Sequence, residues 1–319
     1  MNINMIKSAA QRLNGHVRHT PLLSSPFLDD IAGRRLLIKP ECLQHTGSFK
    51  ARGAWAAISA LAPERRARGV IAFSSGNHAQ GVARAAAAYG VPAVILMPSD
   101  APDLKIANTR ALGAEVVLYD RASQDRDALG ADLAARRGLT LIKPFDSPEV
   151  IAGQGTVGLE IAADLDETEG EVLVPCGGGG LTSGVALALA EAAPAMRVRP
   201  VEPEGFDDVA RSLACGQVVR NTTTHGGLCD AIITPAPGEL TFPIMQALCG
   251  PGLVVSEDQA LRAMALAFRH LKLVAEPGGA VALAAALFHG DALKGSTVVA
   301  VISGGNVDAP VFARALAMT

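Results

Sequence analysis

Short runs of consecutive apolar residues alternate along this chain with longer stretches whose apolar positions recur every three or four residues. The runs Leu36–Lys39, Gly69–Phe73, Val91–Met97, Glu115–Tyr119, Leu139–Lys143, Glu171–Val174, Arg197–Val201 and Thr297–Ile302 predict strands. Most are continuously apolar rather than alternating, as strands buried on both faces of a parallel sheet require. Between them the spacing predicts helices: one through Trp55 and Ile58, an alanine-rich one ending near Tyr89-Gly90, and others over Pro102–Leu112, Val185–Ala192 and Glu257–Leu271. Strand–helix alternation sustained over 319 residues predicts an α/β fold with a doubly wound sheet, in one or two domains. No apolar run approaches a membrane span.

Composition adds exclusions. The formal net charge of −3 leaves no basic footprint for nucleic acid. Five cysteines, spread out and without close-paired metal-ligand spacing, form no disulfide framework and point to a reducing cytoplasm. Met1–Asn14 lacks the charged-then-apolar order of a secretory leader.

Candidate chemistry sits in three segments that follow predicted strands. In Thr46-Gly47-Ser48-Phe49-Lys50-Ala51-Arg52, Lys50 stands at a helix start beside apolar Phe49. Desolvation and the positive end of the helix dipole both disfavour its charge. A lowered pKa leaves the free amine that an imine-forming lysine needs. Alone, the segment reads more plainly as a surface lysine on a Gly/Ser loop. The second segment, Ser74-Ser75-Gly76-Asn77-His78, opens the alanine-rich helix, where an open α/β sheet places ligand-binding groups. An ordinary helix cap is its competing reading.

The third segment is Pro175-Cys176-Gly177-Gly178-Gly179-Gly180-Leu181-Thr182. Consecutive glycines let backbone N–H groups close on an anion, and the following helix N-terminus adds positive potential. Phosphate is the natural guest. No Lys-Ser/Thr pair follows, so this is not a nucleoside-triphosphate loop. A dinucleotide fingerprint beginning at Gly177-x-Gly179 is broken at Thr182, where the third glycine is required.

Together these segments resemble the fold-type II pyridoxal-phosphate enzymes, specifically the serine/threonine dehydratase (ammonia-lyase) and serine racemase group. The likeness runs from Thr20-Pro21-Leu22 through Gly47-Ser48-Phe49-Lys50, Ser75-Gly76-Asn77-His78 and Gly153-Gln154-Gly155-Thr156. It continues through the four-glycine loop, Val201-Glu202-Pro203 and Glu276-Pro277-Gly278-Gly279, and closes at Ser303-Gly304-Gly305-Asn306. It implies a tryptophan-synthase-β-like fold of two doubly wound open sheets. The active site would lie between a large domain (1–68 and 147–319) and a small inserted one (69–146). It also implies pyridoxal 5′-phosphate and a homodimer. Only 13 residues follow Asn306, which leaves no room for an appended regulatory domain and speaks against feedback control.

By this resemblance Lys50 carries the cofactor in Schiff-base linkage, Phe49 packs on its ring and Asn77 bonds its ring hydroxyl. Gly177, Gly178, Gly179 and Gly180 hold its phosphate, and Ser303 faces its pyridine nitrogen. A serine there leaves the nitrogen unprotonated, which favours rapid β-elimination over a long-lived carbanion. Ser74, Ser75, Asn77 and His78 are the substrate-binding candidates. Ser75 is either the second proton carrier of the racemases or a carboxylate anchor. The implied reaction converts a threonine- or serine-type 3-hydroxy amino acid to a 2-oxo acid and ammonia. The alternatives are a serine- or aspartate-type racemase and a dehydratase specific for 3-hydroxyaspartate or 3-phenylserine.

Some positions leave choices open. Asp230–Leu240 is proline-rich and longer than the serine-containing loop of related racemases, which favours dehydration and brings Thr234 or Glu239 toward the substrate. Lys105 and Arg110 are candidate anchors for a second carboxylate, though a solvated helix face explains them equally. Glu202 and Asp208, with the Phe206 carbonyl, match a divalent site of the racemase branch for Mg²⁺ or Ca²⁺; the competing reading is two solvated acids on a turn. The cysteine-synthase and tryptophan-synthase branch is disfavoured by Asn77-His78, where cysteine synthases carry Asn-Thr. A non-enzymatic carrier should lack Lys50 or Ser303, and both are present.

Overall fold

The computed structural model describes the chain except residues 102, 121, 166–168, 224 and 319, and for Leu104 the backbone alone. Its strands are β1 (Leu23–Ser24), β2 (Arg35–Pro40), β3 (Val70–Phe73), β4 (Ala93–Pro98), β5 (Glu115–Tyr119), β6 (Thr140–Leu141), β7 (Gly170–Pro175), β8 (Met196–Pro203), β9 (Leu253–Val255) and β10 (Thr297–Ile302). They form a six-stranded sheet, β1-β2-β10-β7-β8-β9, and a four-stranded sheet, β5-β4-β3-β6. Every ladder is parallel except that between β1 and β2.

The apolar runs bury both faces of each sheet. Along β10, Val298, Ala300 and Ile302 enter one core with the helices Glu257–Leu271 and Pro277–Phe288. Val299 and Val301 enter the opposite core with the helices Pro148–Asp164 and Gly180–Ala192. In the smaller sheet Ile71, Val94 and Leu96 face one cluster, and Val70, Ala72 and Ile95 the other. This two-sided burial explains why the strands read as continuous apolar runs.

Each predicted strand recurs, Glu115–Tyr119 and Thr297–Ile302 with the ends predicted and the others with adjusted ends. The predicted Leu139–Lys143 shortens to Thr140–Leu141; Ile142 still donates to the Ile71 carbonyl, and Pro144 then ends the extended run. The predicted Pro102–Leu112 helix spans Asp103–Ala111, and Pro102 itself lies outside the described residues. The helix predicted from Val185 begins at Gly180, so the last glycine of the loop belongs to its first turn.

Three helices, Lys50–Ser59, Pro148–Asp164 and Gly180–Ala192, pack through small residues. A Cβ on Gly184 would lie 2.5 Å from the Ile151 carbonyl oxygen and 2.6 Å from the Gly155 nitrogen. The helices behind the lysine and behind the glycine loop therefore both rest against Pro148–Asp164. Gly184→Ala must force that crossing apart, at a cost of about 2 kcal/mol or more. A thermal melt should show a Tm several degrees below the parent, and an unchanged Tm would mean the crossing yields freely.

Candidate active site

Loops from the carboxyl ends of β2, β3, β7 and β10 converge on a cavity of about 420 Å³. This is where open parallel sheets leave room for ligands. Its walls carry residues that follow strands of both sheets, among them Lys50, Ser75, Asn77 and Gly178.

Lys50 opens the helix Lys50–Ser59. The chain reaches it through Thr46 at φ 58° and Gly47 at φ 71°, a left-handed turn. Ser48 then bridges Gly304, and the Phe49 N–H donates to the Ser303 carbonyl (3.1 Å). The Lys50 Nζ donates to the Pro144 carbonyl (2.8 Å) and lies 5.1 Å from the Phe49 ring centre. Burial lowers its pKa to about 8, and the Glu276 carboxylate opposes that shift.

Across the cavity, Gly179 takes φ 88° and turns the chain into the helix at Gly180. Among the described residues the N–H groups of Gly177, Gly178 and Gly179 find no acceptor in the chain. Thr241 holds the loop from behind: its Oγ1 donates to the Gly178 carbonyl (2.6 Å) and accepts from the Gly238 N–H (2.9 Å). With that carbonyl tied outward, the loop forms a cradle of unpaired donors suited to an anion.

Asn77 opens the helix Asn77–Tyr89, and its Nδ2 donates to Glu276 Oε1 (2.6 Å). Ser74 and Ser75 line the cavity, and Ser74 Oγ accepts from the Gly76 N–H (3.1 Å). His78 also lines it but enters as a neutral ring. Its Nε2 donates to the Ile142 carbonyl (2.8 Å), and burial, with Lys50 adding, lowers its pKa to about 3. The buried Nδ1 has no partner and can only accept, so the imidazole cannot donate to a substrate carboxylate. Ser303 is buried behind Phe49, outside the residues that line the cavity.

Two further wall residues, Glu276 and Arg126, have no role assigned from the sequence. Glu276 caps the helix Pro277–Phe288 and has its pKa raised to about 7, chiefly by burial. Its Glu-Pro-Gly-Gly segment was visible, and a buried acid before a helix-opening proline was the available signal. Arg126 lines the cavity and is half-exposed, with nothing in its polar segment to single it out. Lys105 lines it and pairs with Asp230 (3.7 Å), whereas Arg110 lies off the walls. Thr234 reaches the cavity, and Glu239 does not.

Glu202 and Asp208 are not solvated acids: they are 0% and 1% exposed. Glu202 accepts from the N–H groups of Val209 (3.0 Å) and Ala210 (2.7 Å), and Asp208 Oδ1 accepts from Asn221 Nδ2 (2.5 Å). Burial and their mutual repulsion raise the pKa of Glu202 well above the usual range, and burial raises Asp208 to about 6. Of the pair's carboxylate oxygens, Asp208 Oδ2 is buried without a partner, and any Ca²⁺ or Mg²⁺ shell there would draw most of its oxygens from carbonyls and water. Among the described residues no group of three or more His, Cys, Asp or Glu stands ready for a metal. Their burial sets aside the competing reading of two solvated acids on a turn, and the Mg²⁺ or Ca²⁺ set of Glu202, Phe206 and Asp208 stays a proposal.

A lysine with a lowered pKa, sharing one cavity with a cradle of unpaired N–H groups, suits a phosphorylated aldehyde. The chain matches the family model described as pyridoxal-phosphate dependent enzyme over residues 13–304, and it belongs to that family. It is 41% identical to an L-threo-3-hydroxyaspartate ammonia-lyase of Saccharomyces cerevisiae, over 95% of this chain and 92% of that one. Among solved structures it resembles a threonine deaminase from T.th., with TM-score 0.91 and 45% identity over 97% of this chain and 99% of the other. It also resembles maize serine racemase, with TM-score 0.92 and 36% identity over 99% and 96%. Both sheets and their connections are thus those of the fold-type II pyridoxal-phosphate enzymes.

The raised pKa of Glu276 has a consequence for the cofactor-free protein. Unfolded, this carboxyl loses its proton near 4.5; folded, it holds it until about 7. Between those values the native state binds more protons, so stability falls as pH rises through the window. Glu276→Gln removes the titration. Relative to the parent it should gain on the order of 3 kcal/mol between about pH 4.5 and pH 7. Denaturant midpoints across that range check this, and parallel pH profiles would show that Glu276 ionises normally.

Proposed function

We propose that this protein is an ammonia-lyase that converts a 3-hydroxy amino acid to a 2-oxo acid and ammonia, with pyridoxal 5′-phosphate held at Lys50. The carrying observation is the lowered pKa of the buried Lys50 amine, which opens onto the cavity bounded by the unpaired glycine-loop N–H groups. The activities of the relatives support the reaction type.

When bound, the cofactor supplies an electron sink at the α-carbon. The chain's own residues do the rest. Gly177, Gly178, Gly179 and Gly180 orient the phosphate, Phe49 flanks the ring, and Asn77 meets the ring oxygen. Ser303, next to the Phe49 backbone, serves the ring nitrogen. Lys50 Nζ takes the α-proton as general base. Ser74, Ser75 and the N–H groups opening the helix Asn77–Tyr89 bind the substrate carboxylate, with the helix dipole in their favour. Ser75 follows a strand of the smaller sheet and Lys50 one of the larger. A proton returned through Ser75 would give the racemase reading instead. No step runs through a cation at Asp208.

The reading includes an inserted domain over 69–146, supported by the fact that β3 to β6 alone form the four-stranded sheet. It also includes a homodimer, for which exposed Phe27 and Ile31 offer apolar contact area, and a reducing cytoplasm, which suits five free cysteines. Among the described residues no helix is long and apolar enough to cross a membrane.

Borohydride treatment of the loaded protein should fix the cofactor on Lys50, and Lys50→Ala should abolish keto-acid release. The cofactor-free protein should capture the aldehyde with a pH midpoint near 8, where the amine loses its proton, rather than near 10.5. A peptide map placing the adduct on another lysine would overturn the assignment.

A second carboxylate on the substrate is favoured by Lys105 and Arg126, two cations on the cavity wall. That points to 3-hydroxyaspartate over threonine or serine. Arg126→Ala should then raise KM for 3-hydroxyaspartate about tenfold while leaving serine and threonine nearly unaffected, as loss of one charge-assisted hydrogen bond predicts. Equal effects on all three substrates would remove the dicarboxylate reading. A panel of 3-hydroxy amino acids, followed for keto acid and enantiomer composition together, separates dehydration from racemisation.

A further inference from the structure

The amide of Asn77 has a direction, and the direction is set from outside the cavity. The Thr46 carbonyl can only accept a hydrogen bond. It lies 2.7 Å from Asn306 Nδ2, so the nitrogen of that amide must face it. The same Nδ2 lies 2.7 Å from Asn77 Oδ1, so both Asn306 hydrogens are used and the Asn77 oxygen is taken as an acceptor. Asn77 Nδ2 then points the other way and gives one hydrogen to Glu276 Oε1 (2.6 Å). One N–H is left, on a residue that lines the cavity. The Asn77 oxygen is held at Asn306, so the free group that Asn77 offers there is a donor.

The chain around Asn306 is built for this contact. Thr46 takes φ 58°, rare for a threonine, and presents its carbonyl to Asn306. A Cβ on Gly47 would lie 2.6 Å from Asn306 Oδ1, so the close seat of this amide needs glycine at that position. The Gly305 N–H donates to the Gly47 carbonyl (2.9 Å) and ties the two loops together.

We infer that Asn306 is a positioning residue that fixes Asn77 as a donor, never an acceptor, toward the cofactor's ring oxygen. This rests on the placement of that oxygen at Asn77 under the proposed function. A fixed donor favours the ionised oxygen, whereas an amide turned to present its carbonyl favours the protonated hydroxyl. The two forms differ in colour: the ionised ring absorbs in the visible, the neutral one in the near ultraviolet.

Asn306→Asp can donate to neither Thr46 nor Asn77, so the Asn77 amide must turn its nitrogen toward the new carboxylate. At fixed neutral pH the visible-to-near-ultraviolet ratio of the loaded protein should fall about tenfold, the scale of one hydrogen bond to a charged group. Asn306→Ala frees the amide without adding charge and should lower the ratio in the same sense by a smaller factor. A purely structural role would lower the Tm and leave the ratio alone. Parental ratios in both variants overturn the inference; if Asn306→Asp does not load cofactor, a parental ratio in Asn306→Ala overturns it alone. Asn77→Ala separates the underlying reading. A parental ratio there overturns the placement of the ring oxygen at Asn77 and the inference with it. A lowered ratio there, beside parental ratios at position 306, overturns only the inference.

Discussion

Arg52 is wholly buried, and how its guanidinium is held sets the position of Lys50. Its Nε and Nη2 bond both oxygens of Glu41 (2.7 and 2.8 Å), and Nη1 and Nη2 bond both oxygens of Glu160 (2.6 and 2.8 Å). Thr156 and the Arg18 carbonyl take further bonds. Lys39 reaches Glu160 (2.7 Å), so two cations and two carboxylates balance in a largely buried set in which Glu160 alone keeps some exposure. Such a set is stable only when complete, since removing one member of a buried pair costs about 3–5 kcal/mol. Residues two apart on a helix lie roughly 200° apart around its axis. While Arg52 is locked into this network on one side, Lys50 is therefore aimed at the cavity on the other.

That anchor ties the end of β2, the helix Lys50–Ser59 and the helix Pro148–Asp164 into one unit. The glycine-loop side of the cavity is fixed by a different device, the Thr241 hydroxyl that holds the Gly178 carbonyl outward. Helix Pro148–Asp164 joins the two, because its glycines let the helix Gly180–Ala192 approach to backbone contact. Lysine and anion cradle are thus spaced by three helices rather than by the loops that carry them. Precision at the site comes from regular elements behind it.

Much of this was legible in the sequence. Continuous apolar runs announced buried parallel strands, and the segments around Lys50, Asn77 and the four glycines announced ligand loops, because backbone and side-chain chemistry there is local. What could not be read depends on long-range contact. Glu202 looks like an acid on a turn, and its burial follows from the helix Asp208–Cys215 folding back so that two N–H groups reach it. His78 looks like a donor until the Ile142 carbonyl, 64 residues on, takes its one hydrogen. Arg126 carries no local signal at all. The start of the helix at Gly180 was missed because four glycines argue for a loop, yet a glycine at φ 88° can turn directly into a helix.

One cause, desolvation, sets the charge state of the cavity. It lowers Lys50 to about 8 and raises Glu276 to about 7, two opposite shifts that both favour the uncharged form. His78, with its pKa lowered to about 3, stays neutral. Around neutral pH Lys50 is still largely protonated and Glu276 about half ionised, so both groups sit close to the point at which they exchange a proton. Beside the Lys105 and Arg126 side chains on its wall, positive potential comes from N–H groups, those of the glycine loop and of the helix start at Asn77, which do not titrate. A ligand that brings its own phosphate and carboxylate meets donors already oriented in a medium that screens them weakly, and Lys50 is poised to gain or give up a proton with little change in free energy.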